Sequence, residues 1–208
     1  MSAAALLVEA RTTGRPIGAL PEALVPSDED AAYAVQEEVI RLLGAEIGGW
    51  KVGAANPAAR PIAAPLLAPL VRQSPASFTA RQEDFRAVEA ELALSLARDL
   101  PARARPYGEA EAWDAVAAAH VAIELLATRY AARERMPAPA LLADNQNNGG
   151  FCYGPPIAAG RDIDFVGARA TLLIDGDEVK RAAGGNPGGH PRRLLAWLAN
   201  HAASRGRP

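Results

Sequence analysis

Fourteen residues, Ala87 to Leu100 (A-V-E-A-E-L-A-L-S-L-A-R-D-L), carry two incompatible periodicities, and the rest of the chain has to suit whichever prevails. Read as a strand, the stretch alternates. Glu89, Glu91, Ala93, Ser95 and Ala97 share one face, and Val88, Ala90, Leu92, Leu94 and Leu96 share the other. Two carboxylates are then forced into one small space, which calls either for a cation between them or for water around them. Read as a helix, Val88, Leu92 and Leu96 fall four apart, and Ala, Glu, Leu and Arg are good helix formers. Each helical residue turns about 100°, so Glu89 and Glu91 would face apart and share nothing. Local propensity leans to the helix; the small side chains continuing the glutamate face lean to a closely packed strand.

The flanking segments are plainer. Ala3 to Arg11 reads as a helix ending at Thr12-Thr13-Gly14-Arg15-Pro16. A second helix is capped by Ser27, with Asp28, Glu29 and Asp30 at the positive end of its dipole; Tyr33, Val35, Gln36, Val39, Ile40 and Leu43 follow before Gly44. Gly48 to Gly53 (G-G-W-K-V-G) reads as a short strand in a tight place. Five prolines between Pro57 and Pro75 exclude long regular elements there. The sequence predicts a helix over Glu109 to Ala119, with Trp113 and Val116 inward, running into an apolar segment that holds Glu124. A buried acid there requires a partner. Ala170 to Ile174 and Asp177 to Lys180, joined by Asp175-Gly176, form the chain's clearest hairpin signal. Gly184 to Gly189 is a glycine loop before a helix that starts at Pro191 and carries Leu194, Leu195, Trp197 and Leu198. No linker separates domains; residues 1–48 form a helical region and 49–208 a β-rich one.

Composition narrows the partners. Half of the 208 residues are apolar, enough for one substantial core, and 22 basic against 24 acidic residues leave no footprint for nucleic acid. The lone Cys152 allows no internal disulfide, and no Cys/His spacing suggests zinc. With no signal peptide or membrane-spanning run in view, the expected setting is the cytoplasm, with no nucleic-acid or membrane partner.

Three groups of residues carry candidate chemistry. Glu89, Glu91 and Glu124 are the candidates for a hard-cation site, because carboxylate oxygens suit Mg²⁺ or Mn²⁺. The plainer alternative is two solvated acids and one salt-bridged acid. Lys51, flanked by Trp50, Val52 and glycines, reads either as an amine whose pKa burial lowers toward a useful base or as a lysine reaching out from an edge strand. Asp144, Asn145 and Asn147 offer hydrogen bonds to a substrate, or simply a tight polar loop. His120, His190 and His201 share no ligand spacing and read as structural or surface residues. The glycines at 184–189 do not make a dinucleotide loop.

Taken in order, several motifs resemble one family. They are A-R-T-T-G-R-P-I at Ala10 to Ile17, A-Y-A-V-Q ending at Gln36, G-W-K-V-G at Gly49 to Gly53 and V-E-A-E-L-A at Val88 to Ala93. A-I-E-L-L-A-T-R at Ala122 to Arg129, A-D-N at Ala143 to Asn145, G-N-P at Gly185 to Pro187 and A-W-L-A-N at Ala196 to Asn200 complete the series. The chain is similar to the 2-keto-4-pentenoate hydratases and 4-oxalocrotonate decarboxylases of the fumarylacetoacetate hydrolase superfamily.

That resemblance implies an α+β fold: N-terminal helices and a mixed β-sheet rolled into a barrel-like form, here lacking its C-terminal strands. It implies a homo-oligomer, a strand over Glu89 and Glu91, and Mg²⁺ or Mn²⁺ held by Glu89, Glu91 and Glu124. It further implies Lys51 and Asp144 as catalytic groups, and Asn145, Asn147 and Arg129 as substrate-binding ones. The expected reaction is hydration of small 2-hydroxy-2,4-dienoate or 2-oxo-4-enoate acids from aromatic catabolism, through an enolate that the metal stabilises. Decarboxylation is the alternative chemistry, and a non-catalytic subunit that retains the fold is the alternative role. Hydrolysis of a diketone acid would need a His/Glu pair that the chain does not show. Three departures from the family pattern stand out. Ala127-Thr128-Arg129 replaces Asp-Ser-Arg, Asn147 stands where a serine is common, and Ala63 to Leu70 carries no acid.

Overall fold

A computed structural model describes residues 1–79, 87–158 and 160–207. The helices are α1 (Ala3–Thr13), α2 (Glu29–Leu43), α3 (Glu109–Trp113), α4 (Ala138–Ala143) and α5 (Pro191–Ser204). The strands are β1 (Ile47–Gly53), β2 (Ile62–Leu67), β3 (Val71–Gln73), β4 (Ala87–Leu96), β5 (Val116–Leu126), β6 (Asn148–Pro156), β7 (Arg169–Ile174) and β8 (Asp177–Ala183). Helices and strands divide into two compact units. The first comprises Met1–Lys51, Ala64–Glu89 and Ile123–Tyr153; the second comprises Val52–Ala63, Ala90–Ala122 and Gly154–Pro208. The chain thus crosses between units several times, within β1, β2, β4, β5 and β6.

In the first unit, α1 and α2 pack together and α2 packs on α4. Helix α2 begins where Asp28 accepts a hydrogen bond from the Ala31 amide at 2.8 Å, so Asp28 is the cap and the predicted Ser27 instead bonds Asp28. It ends at Gly44, whose φ of 57° is the left-handed conformation that stops a helix. The buried face of α2 is Ala32, Tyr33, Gln36, Val39 and Ile40, and the Gln36 amide donates to the Leu142 carbonyl of α4 at 2.5 Å. A polar group in this core is thereby satisfied.

The second unit gathers a core of Leu100, Tyr107, Trp113, Val116, Phe165, Leu195 and several alanines, with α3 on α5. Asn200 clips Tyr107 in both directions: its Oδ1 accepts from the Tyr107 amide at 2.8 Å and its Nδ2 donates to the Tyr107 carbonyl at 3.0 Å. The β7–β8 hairpin turns at Asp175 and Gly176, with φ of 54° and 93°, as the Asp-Gly signal predicts.

The ambiguous stretch is a strand. β4 lies in a sheet of order β3-β6-β5-β4, where β3 pairs with β6 in parallel, Val71 opposite Phe151. The other sheets are β1-β2 and β7-β8. The expected barrel-like closure is therefore corrected: among the described residues the strands form open sheets of two, four and two, with β3 and β4 as the edges of the largest. The helix expected over Glu109 to Ala119 is also corrected. α3 stops at Trp113, and from Val116 the chain is extended, because Val116, Val121 and Ile123 suit a pleated surface better than the alanines between them suit a helix. No helix among the described residues is long and apolar enough to cross a membrane.

Candidate metal centre

Strand alternation settles what the carboxylates can do. Residues 89 and 91 lie two apart on β4 and so point to one face. On β5, His120, Ala122 and Glu124 are buried while Val121 and Ile123 are exposed. Glu89, Glu91 and Glu124 each offer an oxygen, and the three oxygens lie within 4.8 Å of one another. Glu124 is only 1% exposed. Three unbalanced negative charges could not share that space, so the fold supplies a cation: Lys51 of β1 places Nζ 2.8 Å from Glu89 Oε2 and 2.6 Å from Glu124 Oε2. The other oxygen of Glu124, Oε1, accepts from Asn148 Nδ2 at 3.0 Å.

The electrostatics correct one expectation. Burial is the largest single influence on Lys51 and would lower its pKa, but the charges and hydrogen bonds of Glu124 and Glu89 together outweigh it, and the pKa is raised. The lysine is thus a firmly held ammonium rather than the lowered amine its apolar neighbours suggested. For Glu124 burial again dominates and raises the pKa, opposed by Lys51 and Asn148.

Behind the acids, Arg129 and Asp144 form a buried ion pair through Arg129 Nε and Asp144 Oδ1. Asp144 Oδ2 also accepts from the Arg129 amide at 2.9 Å and from the Thr128 hydroxyl at 3.2 Å. Arg129 Nη2 donates to the Asp144 carbonyl at 2.7 Å and Nη1 to the Asn148 carbonyl at 3.0 Å. Nearby, the Arg11 pKa is pressed down first by burial and then by Arg129, with Asp144 opposing. The two residues expected at the substrate are thus brought against each other.

The loop they enclose has unusual backbone. Asn145, Gln146 and Asn147 take φ of 51°, 50° and 62°, three successive non-glycine residues in the left-handed region. Asn145 Oδ1 and Asn147 Oδ1 are buried without a hydrogen-bond partner among the described residues, whereas Asn145 Nδ2 reaches the Pro65 carbonyl at 3.4 Å. Such a loop holds two acceptors that a bound hydroxyl or water can satisfy.

His120 does not join the acids. Its Nδ1 lies 2.9 Å from the Gly154 carbonyl, which can only accept, so that nitrogen carries a proton, and Nε2 lies 3.0 Å from Ser95 Oγ. His190 caps α5 by accepting from the Arg192 amide, and His201 stacks on Trp197. Asn148 is the residue that sequence reasoning missed. Its one visible signal is position, directly after the Asp144–Asn147 run.

Comparison with known proteins follows the same lines. Residues 60–205 match the family model described as Fumarylacetoacetate (FAA) hydrolase C-terminal. The chain is 30% identical over 217 residues to the 2-keto-4-pentenoate hydratase of Burkholderia vietnamiensis (strain G4 / LMG 22486), covering 100% of this chain and 82% of that protein. It is 34% identical over 222 residues to 2-keto-4-pentenoate hydratase 1 of Dechloromonas aromatica (strain RCB), covering 100% and 81%. Among solved structures, 4-oxalocrotonate decarboxylase from Pseudomonas putida G7, complexed with calcium and acetate, superimposes with a TM-score of 0.74 at 22% identity, over 99% of this chain and 82% of that one. The same decarboxylase complexed with magnesium and adipate gives 0.73 at 22% identity, over 98% and 81%. At that identity the likeness establishes the fold.

Proposed function

Because the chain belongs to the fumarylacetoacetate hydrolase superfamily, in the branch of the 2-keto-4-pentenoate hydratases and 4-oxalocrotonate decarboxylases, we propose that it is a divalent-metal-dependent lyase that hydrates small 2-hydroxy-2,4-dienoate or 2-oxo-4-enoate acids. The observation that carries this reading is the group of Glu89, Glu91 and Glu124 oxygens within 4.8 Å. An all-oxygen, acidic donor set suits a hard divalent cation, and the Lys51 ammonium across two of the acids supports a place for positive charge there. Glu89, Glu91 and Glu124 are the residues that would hold Mg²⁺ or Mn²⁺. Bound there, such an ion would supply Lewis-acid stabilisation of negative charge developing on the substrate.

The chain's own residues do the rest. Lys51, already carrying a proton beside the acids, is the group that delivers a proton to the conjugated substrate. Asn145 and Asn147 accept hydrogen bonds from the substrate or from the water that adds to it. Asp144 and Arg129 shape the loop that carries both asparagines. Hydratases rather than decarboxylases are the relatives at 30% identity or better, which favours addition of water over loss of CO₂. Loss of dienol absorbance with 2-hydroxypenta-2,4-dienoate, dependent on added Mg²⁺ or Mn²⁺ and without release of CO₂, is the expected result. Protein that binds the metal yet turns over no 2-hydroxydienoate would refute it.

A further inference from the structure

We infer that Asn148 is a positioning residue of the metal centre. It holds Glu124 by Oε1 so that Oε2 faces the cation, and the Arg129–Asp144 pair in turn holds Asn148. The inference rests on the metal-binding reading of Glu89, Glu91 and Glu124 and concerns how one of those ligands is aimed.

Glutamate is a flexible ligand, and a free carboxylate can present either oxygen. Glu124 has no such freedom. It is 1% exposed, Oε2 is taken by Lys51 at 2.6 Å and Oε1 by Asn148 Nδ2 at 3.0 Å. The two partners differ in kind. Lys51 brings positive charge to Oε2. Asn148 is neutral, so it fixes the opposite oxygen without competing for the cation, as an orienting group beyond the ligands should.

Asn148 is itself immobilised. It is 2% exposed, opens β6, and directly follows the three left-handed residues. Non-glycine residues in that region crowd their Cβ against the following carbonyl, asparagine least, so the turn needs outside support. Arg129 provides it by bracketing the turn, with Nη2 on the Asp144 carbonyl before it and Nη1 on the Asn148 carbonyl after it. Inside the bracket, the Asn147 carbonyl accepts from the Ala127 amide at 2.8 Å at the end of β5. The next residue leaves no slack either, since a Cβ at Gly149 would stand 2.5 Å from the Ala127 Cβ. A buried ion pair therefore fixes a strained turn, the turn fixes an amide, and the amide fixes a ligand.

The test is Mn²⁺ affinity, measured by calorimetry and by the paramagnetic resonance signal of free Mn²⁺, on the full chain. Asn148→Ala and the near-isosteric Asn148→Leu both remove the donor, and each is expected to weaken Mn²⁺ binding by about 10–100-fold. Arg129→Lys keeps the charge but cannot span both carbonyls, so its affinity falls in the same direction. Tyr130→Phe is the control. It removes a buried hydrogen bond to the Ala140 carbonyl and lowers stability, but touches neither Glu124 nor Asn148, so it keeps wild-type affinity. Wild-type Mn²⁺ affinity in folded Asn148→Ala or Asn148→Leu overturns the inference while leaving the metal reading intact, and so does an equal loss in Tyr130→Phe. A wild-type chain that binds no Mn²⁺ overturns both.

Discussion

Replacing Lys51 by methionine isolates the electrostatics of the site, because methionine keeps the apolar stem and removes the charge. In the metal-free protein Glu124 is then left buried beside Glu89 and Glu91 with no cation. Removing one partner of a buried ion pair costs about 3–5 kcal/mol. Two features pull the cost to the low end: the Lys51 side chain is 19% exposed and Glu89 is half exposed, so only the Glu124 contact is deeply buried. A loss of about 3 kcal/mol lowers the melting temperature of a chain this size by roughly 6–12 °C.

The pH dependence fixes the cause. Glu124 has a raised pKa in the folded chain, and without Lys51 its burial is opposed only by Asn148. A carboxyl whose folded pKa is raised favours the fold below its unfolded pKa of about 4.3 and loses that contribution as pH rises through the folded value. The Lys51→Met deficit is therefore small near pH 5 and larger at pH 8. In the wild type the raised Lys51 contributes fully below the unfolded lysine pKa of about 10.4 and loses its contribution as pH rises through the folded value, so the two proteins converge again in strong alkali. The assay is thermal unfolding by circular dichroism in EDTA from pH 5 to pH 11, repeated with Mn²⁺, which should recover much of the loss. Equal melting temperatures at pH 8 in EDTA, or a deficit that grows as the solution is acidified, would refute the reasoning.

Three further outcomes follow from the geometry. Glu91→Gln removes one of the three clustered carboxylates and should weaken Mg²⁺ binding at least tenfold by calorimetry; unchanged affinity would remove Glu91 from the ligand set. Gln146→Gly relieves a left-handed φ of 50° and deletes a side-chain amide nitrogen buried without a partner, so urea unfolding should show a gain of about 1 kcal/mol. Gly149→Ala forces a methyl to 2.5 Å from the Ala127 Cβ and should cost about 1–3 kcal/mol in the same experiment.

Legibility in the sequence followed the range of the forces involved. Asp175-Gly176, Pro191 and Gly44 act through their own backbone, and the turn, the helix start and the helix end all fall where those residues place them. Segments decided by neighbours were harder. Ala117 to Ala119 are as helical by propensity as any residues in the chain, yet they lie in β5 beside β4 and β6, and pairing overrides preference. Ala87 to Leu96 follows the same rule. Motif resemblance, not propensity, pointed to the strand there, because the motif carries the memory of a sheet that a fourteen-residue window does not.

The site divides along the same line. A metal ligand must have a particular chemistry, so two acids two apart and an acid in apolar company stand out as candidates by type and spacing, although it took the family resemblance to set the pair on a strand. A group that aims a ligand needs only a donor at the right place, and place is a property of the folded chain. In the sequence Asn148 is only the residue after the Asp144–Asn147 run; the turn that sets the Arg129 guanidinium on both the Asp144 and the Asn148 carbonyls exists only in the folded chain. The Lys51 pKa teaches the same lesson in energies. Its apolar sequence neighbours argued for a lowered value, but the carboxylates that raise it come from β4 and β5, 38 and 73 residues away in sequence. Where a titrating group faces partners so remote in the chain, the sign of its shift belongs to the fold.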